Sequence, residues 1–273
     1  MVTHKFFTSM KNILIACLCL FVSSVSAQEF SLPLTAPNMP PAFTAEYAVK
    51  VGGLHVGKVD VQLTQIDPEN WIYQSNSEAL GLAALFISDD AVTDTTKLQL
   101  LDGAVRPISY ERIRITKSAD KSERVYYQWD KRLAQSEYKD RKLEVKLDER
   151  ATDLFTLQLF IMANINSIPK EMNLPVISKA KLKNYQILNL GPEKLKTIYG
   201  ERDTVLIVRA KEDSSYRIWA DRALHGLPLQ IESIKEGKTE YIVKLEESSL
   251  HNLSEKVTTQ SMNRPQSSYF QSR

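Results

Sequence analysis

Asp221 and His225 are the two residues whose types and spacing come closest to a catalytic arrangement. They lie four apart in the segment WADRALHGLPLQIE, residues 219–232. A carboxylate that orients a histidine ring also needs a nucleophile or a substrate within reach, and the sequence signals neither. We therefore interpret Asp221 as the cap of a connection between two strands, and His225 as a solvated residue beside Gly226. No catalytic residue is predicted.

The sequence lacks the residue spacings that metal-binding and cofactor-binding sites require. Beyond residue 27 the histidines are His55, His225 and His251, which lie in three distant segments. This spacing fits no zinc site, and the sequence has no acidic calcium-binding loop. It also has no glycine-rich phosphate loop and no nucleophile elbow. The sequence therefore predicts neither a metal nor a cofactor.

The N-terminal residues 1–27 have the pattern of a secretory signal peptide. Lys5 and Lys11 precede the apolar run ILIACLCLFV, and Val25 and Ala27 are small enough for the −3 and −1 positions of a signal peptidase site. The apolar run is too short to span a bilayer. We expect cleavage after Ala27 and a periplasmic mature protein.

Two alternatives at the N-terminus stay open. Either Met1 or Met10 fits as the first residue, because the apolar run is the same in both cases. Residues 14–17 could instead form a lipoprotein box with an acylated Cys17, but the stronger apolar stretch follows Cys17 rather than preceding it. Cleavage after Ala27 removes both cysteines, so the mature chain is expected to have no disulfide.

The charge balance disfavours nucleic acid as a partner. Without Lys5 and Lys11, the 35 basic residues become 33, equal to the 33 acidic residues. A neutral chain has no general attraction to polyanions or to an anionic membrane surface. We expect no nucleic-acid partner and at most a peripheral contact with a membrane.

The domain organisation is simple. Residues 28–42 hold four prolines and are predicted to be an extended lead-in, and residues 251–273 are predicted to be a disordered polar tail. We expect one β-rich domain over residues 43–250.

A period of two dominates that domain. It is clear in FTAEYAVKV, residues 43–51, and about a dozen such segments are separated by short turn signals. The pattern predicts a mainly β fold, an antiparallel meander that forms a strongly curved sheet or an open barrel. Within one segment Tyr110, Arg112 and Arg114 should share a face, which we interpret as solvated.

One segment breaks the period of two. Thr152 or Asp153 is a suitable N-cap for LFTLQLFIMANI, residues 154–165, which is apolar on nearly all faces. We expect a buried helix with more apolar surface than one sheet can cover, so that Leu157, Phe160 and Ile161 line a ligand-binding groove.

The order and spacing of several short motifs resemble the bacterial domain-of-unknown-function 3108 family of exported proteins. The motifs are Phe43-x-x-x-Tyr47-x-Val49, Gly53-Leu54-x-Val56-Gly57, Arg106-Pro107-x-x-Tyr110, Asp153-Leu154, Trp219-x-x-Asp221 and Leu227-Pro228-Leu229. The resemblance covers nearly all of residues 43–247. It implies a curved sheet related in shape to the periplasmic lipoprotein carriers, but it implies no reaction.

Two functions from different classes remain. The first is a non-catalytic binding or carrier module whose apolar groove takes an acyl chain or another envelope amphiphile. The alternative is a structural or interaction component of the envelope, with a fully packed core and an envelope protein as its partner. The volume of the cavity under the predicted helix distinguishes them.

Overall fold

The computed structural model describes residues 38–80, 91–114, 120–211 and 214–251. The predicted signal peptide, residues 28–37 of the predicted lead-in and residues 252–273 of the predicted tail lie outside the described residues. Within them, alternating side chains form strands as the period of two predicts. In the first strand Phe43, Ala45 and Tyr47 are buried, whereas Thr44 and Glu46 are exposed.

Fifteen strands are present in the described part of the chain. The first eight are β1 (Phe43–Val51), β2 (Leu54–Asp67), β3 (Asn70–Ala79), β4 (Ala91–Leu101), β5 (Ala104–Ile113), β6 (Glu123–Gln128), β7 (Leu133–Tyr138) and β8 (Arg141–Lys146). The others are β9 (Thr152–Asp153), β10 (Glu171–Ile177), β11 (Leu182–Thr197), β12 (Gly200–Lys211), β13 (Ser214–Asp221), β14 (Leu227–Lys235) and β15 (Lys238–Ser248). The mainly β prediction is confirmed.

All these strands belong to one sheet. Its order is β8-β7-β6-β5-β4-β3-β2-β1-β15-β14-β13-β12-β11-β10-β9. The first and last strands pair with each other, with Ala45 opposite Ser248 and Lys50 opposite Ile242. The chain therefore runs from the middle of the sheet to one edge in β1–β8, and from the other edge back to the middle in β9–β15. The edge strands β8 and β9 are not paired with each other in the described residues, so the sheet is not closed.

The expectation of a purely antiparallel sheet is wrong at one edge. β9 pairs in parallel with β10, with Thr152 opposite Val176 and Asp153 opposite Ile177. The connection between these two strands contains the one α-helix between β1 and β15 in the described residues, α1 (Thr156–Ala163). A crossover of this length returns the chain in its original direction, which a tight hairpin cannot do.

Helix α1 is shorter than the predicted range 154–165. Residues 152–153 are held as a strand, and the Asp153 carboxylate accepts the backbone N–H groups of Phe155 at 2.9 Å and Thr156 at 2.7 Å. The same carboxylate accepts hydroxyl hydrogen bonds from Thr156 and Tyr127. Asp153 therefore caps the start of the helix, as the sequence suggests, but from two residues before the N-cap position, which Phe155 occupies.

The helix packs on both halves of the sheet. Leu159 and Met162 join a core cluster with Tyr73 of β3 and Leu245 of β15. Phe160 joins another cluster with Ile207 and other residues of β10–β13. An apolar helix with contacts on two sides removes far more surface from water than a helix on one flat face would. Within the described residues, no helix is long and apolar enough to cross a membrane.

Candidate functional site

A partly open cavity of about 390 Å³ lies beside the first half of helix α1. The helix contributes Leu157, Gln158 and Ile161 to its lining, and Leu154 and Phe155 come from the turn before the helix. The remaining walls come from strands of both halves of the sheet. The helix thus leaves unfilled part of the space that the sheet encloses.

The middle of the cavity has apolar walls. Ile218 of β13, Ile231 of β14 and Val243 of β15 stand opposite one another in neighbouring strands and all line it. Val59 and Val61 of β2 add apolar surface from the other half of the sheet. These walls have no hydrogen-bonding groups, so they favour an apolar ligand.

A row of polar residues lies next to this apolar row, two residues away on each strand. Arg209 of β12 is opposite Tyr216 of β13, Tyr216 is opposite Ser233 of β14, and Ser233 is opposite Tyr241 of β15. Because residues two apart on a strand share a face, this row lies beside the apolar row. Arg209, Tyr216 and Tyr241 line the cavity, whereas Ser233 is buried and donates to the exposed Glu240.

Arg209 carries a charge that the described residues do not neutralise. Its guanidinium carbon lies 4.0 Å from the ring centre of Tyr216 and 4.8 Å from that of Tyr185. In the described ranges, no carboxylate forms an ion pair with it. Aromatic faces stabilise a guanidinium through cation–π contact. One of its several N–H donors forms a side-chain hydrogen bond with Tyr216, and the others remain available in the plane of the guanidinium.

The tyrosines beside Arg209 form a hydrogen-bonded pair. The Tyr241 hydroxyl donates to the Tyr216 hydroxyl at 3.4 Å. Burial disfavours ionisation of Tyr216, but the hydrogen bond from Tyr241 and the charge of Arg209 outweigh it, and the pKa of Tyr216 is lowered from its ordinary value. Tyr216 also makes side-chain hydrogen bonds with Ser233 and Arg209, and its single hydroxyl proton can rotate between such partners and a ligand.

A second arginine at the cavity is neutralised. Arg112 donates to both carboxylate oxygens of the buried Asp94, at 2.8 and 3.0 Å, and the Tyr110 hydroxyl donates to the same carboxylate at 2.7 Å. The interpretation of this face as solvated is therefore wrong for Tyr110 and Arg112. Asp94 on β4 and Arg112 on β5 are opposite each other in the pairing of these two strands. This bidentate pair adds no net charge to the cavity.

The predicted ligand-binding residues separate into two groups. Leu157 and Ile161 line the cavity. Phe160 is not part of its lining and packs instead with Ile207 and neighbouring side chains of the second half of the sheet. Ligand binding by Leu157, Phe160 and Ile161 stays a prediction. Of the three side chains, those of Leu157 and Ile161 are in contact with the cavity.

Asp221 and His225 lie in a structural connection rather than at the cavity. The Asp221 carboxylate accepts the backbone N–H of Ala223 at 2.8 Å and pairs with Arg202 at 2.7 Å. His225 is exposed, in the left-handed conformation next to Gly226. Asp221 therefore fixes a short 3-10 helix, Arg222–Leu224. In the described residues, no group of three or more His, Cys, Asp or Glu side chains has a metal-binding arrangement.

The sequence did not single out Arg209, Tyr216, Tyr241 or Asp94. Each lies in an ordinary strand pattern, and the four residues of the polar row come from four separate strands. The row follows from the strand register: when β12, β13, β14 and β15 pair with one another in chain order, these residues lie side by side.

Comparison with known proteins gives a family and a fold. The profile of the family described as "Protein of unknown function (DUF3108)" matches residues 46–241. No curated protein matches the chain. Among solved structures, a β-barrel-like protein of domain of unknown function DUF1849 from Brucella abortus is similar, with a TM-score of 0.53 and 8% sequence identity. The match covers 80% of this chain and 99% of that one, and at this identity it shows the fold alone.

Proposed function

The chain belongs to the DUF3108 family of proteins of unknown function, and from its cavity we propose a non-catalytic binding or carrier module for an apolar or acyl-containing ligand of the cell envelope. The observation that carries the proposal is the cavity of about 390 Å³ with apolar walls beside α1. Ligand pockets span roughly 300–1,000 Å³, and a volume near the lower end suits one acyl chain better than a lipid with several.

The alternative is an envelope component that works through its surface. That function needs no internal space, and a fully packed core would favour it. The cavity beside Leu157 and Ile161 counts against such packing, because well-packed protein interiors contain few voids larger than a water molecule. We therefore place the binding function first.

Export to the periplasm is part of the proposal. Its support is the pattern of residues 1–27, in which Lys5 and Lys11 precede an apolar run and a site ending at Ala27. We expect the exported protein to begin at Gln28, which intact-mass measurement checks. A mass showing lipid on Cys17 would contradict this expectation and make the protein membrane-tethered.

Binding is tested with a fluorescent fatty-acid probe and delipidated protein. We expect saturable binding at micromolar concentration, and a loss of tenfold or more in affinity for Ile161→Asp. The new carboxylate would be desolvated in the apolar wall without a partner, which costs about 2 kcal/mol or more, at roughly tenfold in affinity per 1.4 kcal/mol.

Ile198→Asp is the matched control, because Ile198 is 70% exposed and lies outside the cavity. It should bind the probe like the wild type. Circular dichroism of both variants checks that the fold is retained. No saturable binding by the wild type, or equal losses in the two variants, would contradict the proposal.

A further inference from the structure

We propose that the ligand is a single-chain amphiphile with a negatively charged oxyanion headgroup, a carboxylate or a phosphate monoester, which binds Arg209 and the Tyr216 hydroxyl. This inference rests on the proposed function and adds the headgroup to it. It also assigns an orientation, with the headgroup at the polar row and the acyl chain along the apolar row.

The first argument is the charge balance of the cavity lining. The charged side chains in it are Asp94, Arg112 and Arg209. Asp94 and Arg112 neutralise each other in a bidentate pair. Over the described lining residues, Arg209 therefore leaves one net positive charge. A half-buried cation with no counter-ion among the described residues favours an anionic ligand, because the ligand replaces water that the site has partly excluded.

The second argument is the geometry of the donors. Arg209 stacks on Tyr185 and Tyr216, which fixes the plane of its guanidinium. A fixed planar fork of N–H groups matches the paired oxygens of a carboxylate or phosphate. The Tyr216 hydroxyl accepts from Tyr241 and also makes side-chain hydrogen bonds with Ser233 and Arg209, so it adds a third donor when its proton rotates toward a ligand oxygen.

The third argument is the position of the donors relative to the apolar walls. Tyr216 and Ile218 are two apart on β13, and Tyr241 and Val243 are two apart on β15. Adjacent positions on one strand face are about 7 Å apart, so a chain attached to an oxyanion at Arg209 enters the apolar part within a few methylenes. The polar row therefore matches the headgroup of such a ligand, and the apolar row matches its acyl chain.

The experiment compares ligands that share a fourteen-carbon chain. Displacement of the neutral fluorophore N-phenyl-1-naphthylamine is measured for tetradecanoate, tetradecyl phosphate and tetradecanol. For the wild type we expect both anions to compete at least tenfold better than the alcohol, because a hydrogen bond to a charged group contributes more than a neutral one. The order of the two anions identifies the headgroup.

Arg209→Met should abolish this preference, while tetradecanol binds within about threefold of its wild-type affinity. Arg209→Lys, which keeps the charge and loses the fork, should retain part of the preference. Arg217→Gln is the matched control, because Arg217 follows Tyr216 on β13 but is exposed, and it should behave like the wild type.

Each failure has a distinct meaning. If the alcohol competes as well as the anions in the wild type, the headgroup inference is overturned and the proposed function stands. An anion preference that persists in both Arg209→Met and Arg209→Lys at full strength overturns the assignment to Arg209. If the fluorophore and all three ligands fail to bind the wild type, the proposed function itself fails.

Discussion

Replacing Gly226 with alanine is expected to lower the free energy of unfolding by about 3–5 kcal/mol, the sum of left-handed backbone strain and overpacking. Gly226 has φ +72°, and a Cβ there would lie 2.8 Å from both the Cα and the carbonyl oxygen of Met162, and 3.0 Å from the Cβ of Ile165. The contacts are with helix α1 and the turn that follows it, so the helix would have to move away from the connection between β13 and β14. Chemical denaturation measures the loss.

Gly237→Ala separates the two contributions. Gly237 has nearly the same φ, +74°, but nothing lies within 4 Å of a Cβ built on it. We expect this variant to lose about 1–2 kcal/mol, the cost of the left-handed conformation alone. Equal losses at Gly226 and Gly237 would show that α1 does not pack on Gly226 as closely as described.

Replacing Asp153 with alanine is expected to cost about 3–4 kcal/mol of unfolding free energy, because it leaves several buried donors without an acceptor. The carboxylate accepts the N–H groups of Phe155 and Thr156 and the hydroxyls of Thr156 and Tyr127. It is fully buried, and burial raises its pKa above the ordinary value despite these hydrogen bonds.

Asp153→Asn is the informative companion variant. Its one carbonyl oxygen can still accept the two backbone N–H groups, whereas the Tyr127 hydroxyl loses its acceptor and the Thr156 hydroxyl keeps only the longer bond to Thr96, at 3.3 Å. We therefore expect an intermediate loss in thermal or chemical unfolding. Asp148→Ala controls for a partly exposed aspartate that accepts from Arg150, and it should cost less than about 1 kcal/mol. A similarly small loss for Asp153→Ala would contradict the capping role.

The sequence predicts those elements whose burial follows a strong apolar period. Phe43, Ala45 and Tyr47 alternate with polar residues, and β1 lies where they indicate. Helix α1 is predicted for a similar reason, because Leu159, Phe160 and Ile161 are apolar on adjacent faces and the helix contacts two sides of the core. Burial on this scale dominates local preferences.

Strands with weak apolar periods are not predicted by the alternation of apolar and polar residues. The inward residues of β7 are Ala134 and Ser136, which are small and give almost no alternation. β10 contains Pro175, and β9 has two residues, so neither has a strand pattern of its own. These strands form because their neighbours supply hydrogen-bonding edges, which is tertiary information.

The candidate site could be predicted only in part. Leu157 and Ile161 follow from the excess apolar surface of the helix. Arg209 looks in sequence like a charge at the end of an apolar strand, and its stacking on Tyr216 depends on the pairing of β12 with β13. Tyr241 reaches the same row through an irregular pairing of β14 with β15, between Ser233 and Ile234. An irregular pairing of this kind changes which face of the sheet the following side chains occupy, and the apolar–polar alternation of the sequence does not reveal it.

The central claim is that the cavity beside α1 holds one acyl chain, and a crystal structure with an ω-brominated dodecanoate tests it most directly. The account predicts one anomalous bromine peak inside the cavity, among the side chains of Ile161, Ile218 and Val243. The bound chain should continue toward Arg209. Bromine peaks confined to the outer surface, or an empty cavity at a saturating concentration of the ligand, would contradict it.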